Sequence, residues 1–320
     1  MKDQVTLFEV GPRDGLQNEK TVISTSDKVE LIERLVRSGL RKVEATSFVN
    51  PKWIPQLADA VEVLNRVRIH DDVVYSALVP NLKGLERACK TGIKEIAVFM
   101  SASESHNKSN INKSIAETFP VLQEVVEAAT AKGMDVRGYV STAFGCPYEG
   151  EISLTAVAHV TEQLLKMGVY EVSIGDTIGV GTPKQVKERF TSLIGQFGSD
   201  KLAGHFHDTR GMGLANVYAA LEAGIRTFDS SIGGLGGCPY APGASGNIST
   251  EDVVYMLHGM GLNTGVDLEK LVEAGEFMER VLGRELPSRV LQVMKKTGKE
   301  GECGNERYTA VKSNIGTDAS

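Results

Sequence analysis

A strand, a helix and a second strand follow one another in residues 202–232, LAGHFHDTRGMGLANVYAALEAGIRTFDSSI. The short apolar runs at 202–207 and 227–232 predict the two strands, and the amphipathic segment between them has the length of a helix. Gly224 stands where that helix should end, because glycine readily adopts the left-handed conformation that stops a helix. The stretch therefore predicts one strand–helix–strand unit.

The same unit recurs along the whole chain. Glycines follow the predicted helices at Gly39, Gly92, Gly133, Gly168 and Gly224, with Gly198 a looser example. Eight strands are predicted, at residues 5–10, 42–48, 73–79, 95–100, 135–141, 171–175, 202–207 and 227–232. Strict alternation of strands and helices predicts a parallel sheet, and eight repeats favour a closed (β/α)₈ barrel, the TIM barrel of the α/β class. An open doubly wound sheet is the alternative.

One predicted helix shows the amphipathic pattern clearly. It extends over residues 27–38 and is expected to begin at Asp27, with Glu30 as the second member of a capping pair. Its apolar face is formed by Val29, Ile32, Leu35 and Val36.

Further helices are predicted beyond the eighth strand, at residues 251–260, 268–282 and 287–296. A minimal barrel does not require them, so we expect them to cover one end of the barrel or to form a subunit contact. The chain is accordingly predicted to be a single barrel domain over residues 1–297, with this helical extension from about residue 250. Periodicity is lost in residues 298–320, which predicts a flexible tail.

The composition is that of a globular protein that acts on a small molecule. With 35 Lys and Arg against 41 Asp and Glu, the net charge of −6 offers no basic surface for nucleic acid. No apolar run is long enough to cross a bilayer, and the N-terminus lacks the pattern of an export signal. The four cysteines are widely separated, which disfavours disulfides and a structural zinc site. We therefore expect a cytoplasmic protein without nucleic-acid or membrane partners.

His205 and His207 stand two residues apart at the end of the seventh predicted strand. Side chains at this spacing point to the same side of a strand, so the two imidazoles can hold one metal ion. An inert hydrogen-bonded pair is the alternative. In a (β/α)₈ barrel the segments that follow the strands converge at one end, where barrel enzymes keep their active sites. Further ligands are therefore expected directly after other strands.

Arg13 and Asp14 lie between Gly11 and Gly15, directly after the first strand. One interpretation of this pair is a surface ion pair of little energetic weight. The other is that Asp14, together with Asn247 at the end of a long glycine-rich loop, supplies oxygen ligands to an ion held by the histidines. Two imidazoles with such oxygen ligands suit Mg²⁺ or Mn²⁺. Arg13 would then be free to face an oxyanion of the substrate.

Two further carboxylates fall on predicted strands or directly after them. Glu44 lies inside the second strand, where it either forms a buried ion pair with a neighbouring cation or orients Arg13. Asp176 follows the sixth strand, where it either caps the helix that begins near Thr182 or points into the same end of the barrel. The strand-end position favours the second interpretation of Asp176.

Six glycines occur in the fourteen residues 233–246, well above the usual frequency. Such a loop is expected to be mobile unless a ligand orders it. Cys238 in this loop is a candidate proton donor or nucleophile, and the alternative is a small buried apolar side chain. Residues 145–148 repeat the sequence Gly-Cys-Pro-Tyr after the fifth strand, so that sequence alone does not indicate catalysis.

Seven segments resemble the 3-hydroxy-3-methylglutaryl-CoA lyase family, within the larger group of metal-dependent lyases and Claisen-type synthases built on (β/α)₈ barrels. The resemblance extends over nearly the whole chain to about Arg289. Its segments are residues 11–20 (GPRDGLQNEK), 46–48 (TSF), 51–53 (PKW), 80–84 (PNLKG), 175–183 (GDTIGVGTP), 205–209 (HFHDT) and 233–247. Two departures are Arg210, where the family is associated with an aromatic residue, and the tail beyond Gly298.

The resemblance implies a metal site and roles for the residues around it. The ligands implied for a divalent ion, Mg²⁺ or Mn²⁺, are Asp14, His205, His207 and Asn247. Arg13 would stabilise the enolate formed on cleavage, and Cys238 would act from a loop that closes over the site. Glu44 and Asp176 would support the ligands. A homodimer is implied as well.

The implied reaction is the cleavage of 3-hydroxy-3-methylglutaryl-CoA, an acyl-CoA thioester, to acetyl-CoA and acetoacetate. It requires removal of the hydroxyl proton, polarisation of the hydroxyl oxygen and stabilisation of the charge that moves to the thioester oxygen. Asp14 or a water near His205 could accept the proton, and Cys238 or His205 could protonate the acetyl-CoA carbanion. The sequence leaves both assignments open.

Three other functions can be compared with this lyase. A Claisen-type synthase that joins acetyl-CoA to a 2-oxo acid, or a lyase for a related 3-hydroxyacyl-CoA, would use the same histidine pair and Arg-Asp pair. Such synthases carry a long additional C-terminal region, so the length of this chain favours the lyase. A barrel that binds metal without catalysis should lack a ligand, whereas every expected ligand is present.

Overall fold

The structure, a computed structural model, describes residues 3–236 and 246–299. Eight parallel strands pair in sequence order, and the first strand pairs with the eighth to close a barrel. The strands are β1 (Thr6–Glu9), β2 (Lys42–Ser47), β3 (Val74–Leu78), β4 (Glu95–Ser101), β5 (Asp135–Ser141), β6 (Val172–Asp176), β7 (Leu202–Phe206) and β8 (Thr227–Ser230). The predicted (β/α)₈ barrel is therefore confirmed, and the open doubly wound sheet is wrong.

Each strand is followed by at least one helix, as the alternating pattern of the sequence predicted. The helices are α1 (Thr25–Arg37), α2 (Ala60–Arg66), α3 (Leu82–Ala88), α4 (Glu104–Ile111), α5 (Ile115–Thr130), α6 (Leu154–Lys166), α7 (Pro183–Phe197), α8 (Gly213–Ala223), α9 (Thr250–Gly259), α10 (Leu268–Leu282) and α11 (Arg289–Lys299). Within the described residues, none of these helices has the length and apolar character needed to span a membrane.

The three helices predicted beyond the eighth strand are present as α9, α10 and α11. α11 begins two residues later than expected, because the Asp252 carboxylate of α9 binds its first turn. That carboxylate accepts hydrogen bonds from Ser288 Oγ at 3.0 Å and from the N–H of Val290 at 2.8 Å. A negative charge at a helix N-terminus is stabilising. The part of the predicted tail that follows Lys299 lies outside the described residues.

α1 begins earlier than the sequence pattern suggested. Ser24 is its N-cap, because the Ser24 backbone is extended and its Oγ accepts a hydrogen bond from the N–H of Asp27 at 3.1 Å. Asp27 therefore lies within the first turn, and Glu30 pairs with Arg34 and Arg37. The prediction of Asp27 and Glu30 as the capping pair was wrong, since the Ser24 hydroxyl satisfies the helix end one turn before Asp27 could.

Gly39 shows why a glycine ends α1. Its φ is 104°, a conformation that L residues with a side chain rarely adopt. A Cβ at this position would lie 2.2 Å from the carbonyl oxygen of Gly265, in the segment that leads into α10. Only glycine therefore allows α1 to turn into β2 while the two segments stay in contact.

The main apolar core lies between the barrel and its helices. Phe206 on β7 packs against Phe144 and Phe190, with ring centroids 5.9 and 6.2 Å away. His205 and His207 flank Phe206 in the sequence and point to the opposite side, into the barrel, as alternation along a strand requires. Burial of Phe206 outside the barrel thus places the two imidazoles inside it.

Two buried carboxylates hold the ends of the loop that follows β8. Glu9 accepts hydrogen bonds from the N–H of Ile232 at 2.8 Å and from the hydroxyl of Thr250 at 2.6 Å. Glu251 accepts a hydrogen bond from the N–H of Gly233 at 2.8 Å. Burial raises the pKa of Glu9 to about 7, although its hydrogen bonds oppose the change. Glu9 therefore changes its protonation state within the physiological range.

Replacing Glu9 by glutamine removes this titrating group and preserves the size of the side chain. Between about pH 4.5 and 7 the unfolded chain releases the Glu9 proton while the folded chain keeps it, so the free energy of unfolding falls as pH rises. In urea unfolding we expect wild type to lose up to about 1.4 kcal/mol per pH unit relative to Glu9→Gln in this window. The surface variant Glu188→Gln is the control. Parallel curves for wild type and Glu9→Gln would contradict the raised pKa.

Candidate metal centre

β7 and the residue that follows it bring the two predicted histidine ligands together. The Nε2 atoms of His205 and His207 lie 3.2 Å apart, and the ring centroids are separated by 5.2 Å. His207 is 7% exposed, so little water reaches the pair. Because the two nitrogens face a common point, one ion could be coordinated by both rings.

A π-helical turn, Gly11–Gly15, places Asp14 beside the histidines. The carbonyl of Val10 holds this turn by accepting a hydrogen bond from the N–H of Asp14 at 2.7 Å. Gly15 permits close packing, since a Cβ there would lie 2.8 Å from Ser231 Oγ. One carboxylate oxygen of Asp14 and one ring nitrogen of each histidine lie within 4.8 Å of one another. Three of the predicted ligands therefore converge.

Asn247, the fourth predicted ligand, lies in the same place. Its backbone forms an isolated antiparallel bridge with His207. Its Nδ2 donates hydrogen bonds to Asp14 Oδ2 at 2.8 Å and to the carbonyl of Leu235 at 3.2 Å. Residues 233 positions apart in the sequence are thus brought together where the ends of the strands meet.

Burial and charge together set the protonation states at this site. Burial and the neighbouring His205 lower the pKa of His207 to about 3. Burial would also lower the pKa of His205, but Asp229 outweighs it and raises that pKa. Burial would raise the pKa of Asp14, yet Arg13 and the two imidazoles lower it. At neutral pH Asp14 is ionised and His207 is neutral, and these are the states in which both side chains bind metal ions.

Arg13 is held between two carboxylates. Its Nε donates a hydrogen bond to Glu44 Oε2 at 2.5 Å, and its Nη1 donates one to Asp14 Oδ1 at 2.5 Å. Arg13 is 7% exposed and Glu44 is fully buried, so these are not surface ion pairs. The two interpretations of Glu44 that the sequence left open, a buried ion pair and the orientation of Arg13, describe one contact.

A cavity of about 960 Å³ opens beside these side chains. Its wall includes the candidate ligands Asp14, His205 and His207 together with Arg13. Among the described residues, its wall also contains the cations Lys83, Arg87 and Lys113. The cavity is thus large enough for a ligand of considerable size, and its cations would favour one that carries negative charge.

Asp176 and Arg210 hold the loop between β6 and α7. The Asp176 carboxylate accepts hydrogen bonds from the N–H of Val180 at 3.0 Å and of Gly181 at 2.9 Å. Arg210 donates a hydrogen bond to the carbonyl of Ile178 at 2.7 Å. Neither side chain is among the described residues that line the cavity. These contacts are closer to the interpretation in which Asp176 holds the segment before α7 than to the one in which it points into the cavity, and its support of the metal ligands stays a prediction.

Cys238 lies outside the described residues, in the segment 237–245, so its role also stays a prediction. The cysteine of the other Gly-Cys-Pro-Tyr sequence, Cys146, is buried, and its Sγ lies 3.0 Å from Ser103 Oγ. Cys146 therefore provides a matched control for experiments on Cys238.

Sequence reasoning missed the charged side chains next to the histidines. Asp229 Oδ2 lies 3.1 Å from His205 Nδ1, and Arg137 Nη2 lies 2.8 Å from Asp229 Oδ1. Asp229 and Arg137 both occur inside predicted strands. A charged residue within an apolar strand was the signal that singled out Glu44, and the same signal could have identified these two residues.

A model of the HMGL-like family matches residues 4–278. The chain belongs to the HMGL-like family. It is 52% identical over 292 residues to hydroxymethylglutaryl-CoA lyase YngG of Bacillus subtilis, a match that covers 91% of this chain and 98% of that protein. The resemblance predicted from the sequence motifs is therefore confirmed.

Solved structures of HMGL-like relatives share the whole barrel. Hydroxymethylglutaryl-CoA lyase from Pseudomonas aeruginosa is 48% identical, with a TM-score of 0.91 over 93% of this chain and 100% of that chain. An HMG-CoA lyase from Acinetobacter baumannii, in complex with coenzyme A and 3-methylmalate, is 41% identical, with a TM-score of 0.87 over 95% and 97% of the two chains. The names of these relatives agree with the predicted carbon–carbon lyase class.

Glu44→Gln tests whether the buried carboxylate fixes Arg13. The variant retains the size of the side chain but loses the charge that holds the guanidinium, so we expect turnover to fall about 10- to 100-fold while divalent-ion affinity stays unchanged. The control is Glu95→Gln, which alters another buried barrel carboxylate whose hydrogen bond goes to Tyr170. Turnover of Glu44→Gln within twofold of wild type would show that Arg13 does not depend on Glu44.

Proposed function

We propose that this HMGL-like protein cleaves 3-hydroxy-3-methylglutaryl-CoA to acetyl-CoA and acetoacetate with the help of a divalent ion. The observation that carries the proposal is the convergence of Asp14, His205 and His207 beside Arg13 in one cavity. The relatives from Bacillus subtilis and Pseudomonas aeruginosa, which are named hydroxymethylglutaryl-CoA lyases, support the choice of substrate.

Asp14, His205, His207 and the amide oxygen of Asn247 would hold the ion. Imidazole, carboxylate and amide donors together suit Mn²⁺ and, with water completing the coordination, Mg²⁺. When bound, the ion supplies a Lewis acid that lowers the pKa of the substrate C3 hydroxyl. The fit of the protein to such an ion rests on one carboxylate oxygen of Asp14 and one ring nitrogen of each histidine, which lie within 4.8 Å of one another.

Arg13 would stabilise the charge that develops during cleavage. When the C2–C3 bond breaks, its electron pair moves through C2 to the thioester oxygen and forms an enolate. A guanidinium already fixed by Glu44 and Asp14 need not reorganise to meet this charge. The remaining N–H groups of Arg13 are the donors proposed for the enolate oxygen.

The contacts of His205 support a proposal for the proton steps. Its Nδ1 lies 3.1 Å from Asp229 Oδ2 and its Nε2 lies 3.2 Å from His207 Nε2, so both ring nitrogens already have partners within the protein. We therefore assign the protonation of the C2 carbanion to Cys238 and not to His205. Removal of the C3 hydroxyl proton is assigned to Asp14, directly or through a water, because Asp14 is the one carboxylate among the described residues that line the cavity.

The coenzyme A portion would occupy the rest of the cavity. The relative from Acinetobacter baumannii was solved with coenzyme A, and the cavity of this chain is lined by Lys83, Arg87 and Lys113. Cationic side chains are suited to phosphate groups. The homodimer and the cytoplasmic location expected from the sequence form part of the same proposal, and sedimentation and cell fractionation would test them.

Removal of the ion is the primary test of the activity. We expect chelator-treated protein to release acetoacetate from 3-hydroxy-3-methylglutaryl-CoA at least about 100-fold more slowly than Mn²⁺- or Mg²⁺-loaded protein, because the hydroxyl is no longer polarised. His207→Ala should show the same loss without unfolding, whereas His159→Ala, on the exposed face of α6, should remain active. Full turnover by metal-free protein would contradict the proposal.

Cys238→Ser separates the proposed acid from the metal ligands. Loss of the thiol should lower turnover about 100-fold or more, because a general acid contributes a factor of this order, and should leave Mn²⁺ affinity unchanged. Cys146→Ser is the matched control and should retain turnover. If Cys238→Ser loses the ion as well, Cys238 has been misassigned.

A further inference from the structure

The two histidines of the candidate metal centre differ in the contacts of their Nδ1 atoms, the ring nitrogens that do not face each other. His205 Nδ1 lies 3.1 Å from Asp229 Oδ2. His207 Nδ1, although buried, has no hydrogen-bond partner within residues 3–236 and 246–299. One ring is therefore held by a carboxylate, and the other is held by packing and by the backbone bridge to Asn247.

Asp229 is itself fixed by two other strands of the barrel. Its Oδ2 accepts a hydrogen bond from the hydroxyl of Ser173 at 2.6 Å, and its Oδ1 lies 2.8 Å from Arg137 Nη2. Asp229 is 1% exposed, and both partners are fully buried. A buried carboxylate with three partners on different strands can rotate only if these contacts break.

Arg137 is anchored in turn on the side away from Asp229. Its Nε donates a hydrogen bond to Glu171 Oε1 at 2.8 Å. Its guanidinium carbon lies 4.3 Å from the ring centroid of Phe8 and 5.1 Å from that of Tyr139. A continuous series of contacts therefore connects Glu171, through Arg137 and Asp229, to Nδ1 of His205.

We propose that Asp229 is a positioning residue that keeps the proton of His205 on Nδ1 and leaves the Nε2 lone pair free for the divalent ion. A carboxylate that accepts a hydrogen bond from the second nitrogen of a metal-binding histidine fixes its tautomer and ring orientation. Arg137 and Ser173 hold Asp229 in the required place. The inference rests on the proposed function only in taking Nε2 of His205 as an ion ligand, and it concerns affinity for the ion, not the cleavage step.

The affinity of stripped protein for Mn²⁺, measured by titration calorimetry, tests this role. Asp229→Asn should bind Mn²⁺ about 10- to 100-fold more weakly than wild type. Arg137 keeps its ion pair with Glu171 in this variant, and Asp229→Ala, which removes the hydrogen-bond acceptor as well as the charge, should show at least the same loss. Glu95→Gln, which alters a buried barrel carboxylate at the other end of the strands, is the control and should bind normally.

The tautomer of His205 provides a readout that needs no variant. A long-range ¹H–¹⁵N correlation spectrum of metal-free wild type, recorded at alkaline pH where the ring is neutral, should show the proton on Nδ1. If Asp229 were merely structural, Asp229→Asn would lower the unfolding temperature and leave the Mn²⁺ affinity of the folded protein unchanged.

Two results would overturn the inference: Mn²⁺ affinity of Asp229→Asn within twofold of wild type, or a proton on Nε2 of His205. If both variants fail to fold, the spectrum of wild type decides. If wild type binds no Mn²⁺ at all, the proposed function fails, and the tautomer still tests the role of Asp229.

Discussion

The pairing of β1 with β8 is the constraint on which the candidate site depends. Asp14 follows β1, Asn247 follows the loop after β8, and the histidines lie at the end of β7. When Thr6 pairs with Thr227, barrel closure brings these segments to one end, and Asn247 Nδ2 reaches Asp14 Oδ2 at 2.8 Å. A shift of one residue in this register would turn every side chain of the strand to the opposite face and disperse the site.

The interior of the barrel contains charge that most protein cores avoid. Two sets of ion pairs share this space: Glu44, Arg13 and Asp14 in one, and Glu171, Arg137 and Asp229 in the other. Each set places an arginine between two carboxylates, so no member is left without an opposite charge. Removing one partner from a buried pair costs about 3–5 kcal/mol. The apolar cluster outside the barrel, around Phe206, offsets the desolvation of these groups.

The alternation of strand and helix patterns along the chain, and the spacing of residues within each strand, made much of this architecture predictable. The eight strands lie within two residues of their predicted bounds, because each apolar run is short and is bounded by a helix that ends in glycine. The shared orientation of His205 and His207 follows directly from a spacing of two residues. The contact between Asp229 and His205 did not follow, because it depends on the register of β7 with β8, which no local pattern encodes. The N-cap of α1 was predicted wrongly for a local reason, since both Ser24 and Asp27 are residue types that suit the N-cap position.

Anomalous diffraction from crystals of this protein grown with Mn²⁺ would show whether Asp14, His205, His207 and Asn247 bind one ion. We expect one strong anomalous peak about 2.0–2.3 Å from an oxygen of Asp14 and from Nε2 of both His205 and His207, with the amide oxygen of Asn247 turned toward it. A map without a peak at that point, or with Mn²⁺ bound elsewhere while these four side chains stay unliganded, would contradict this expectation.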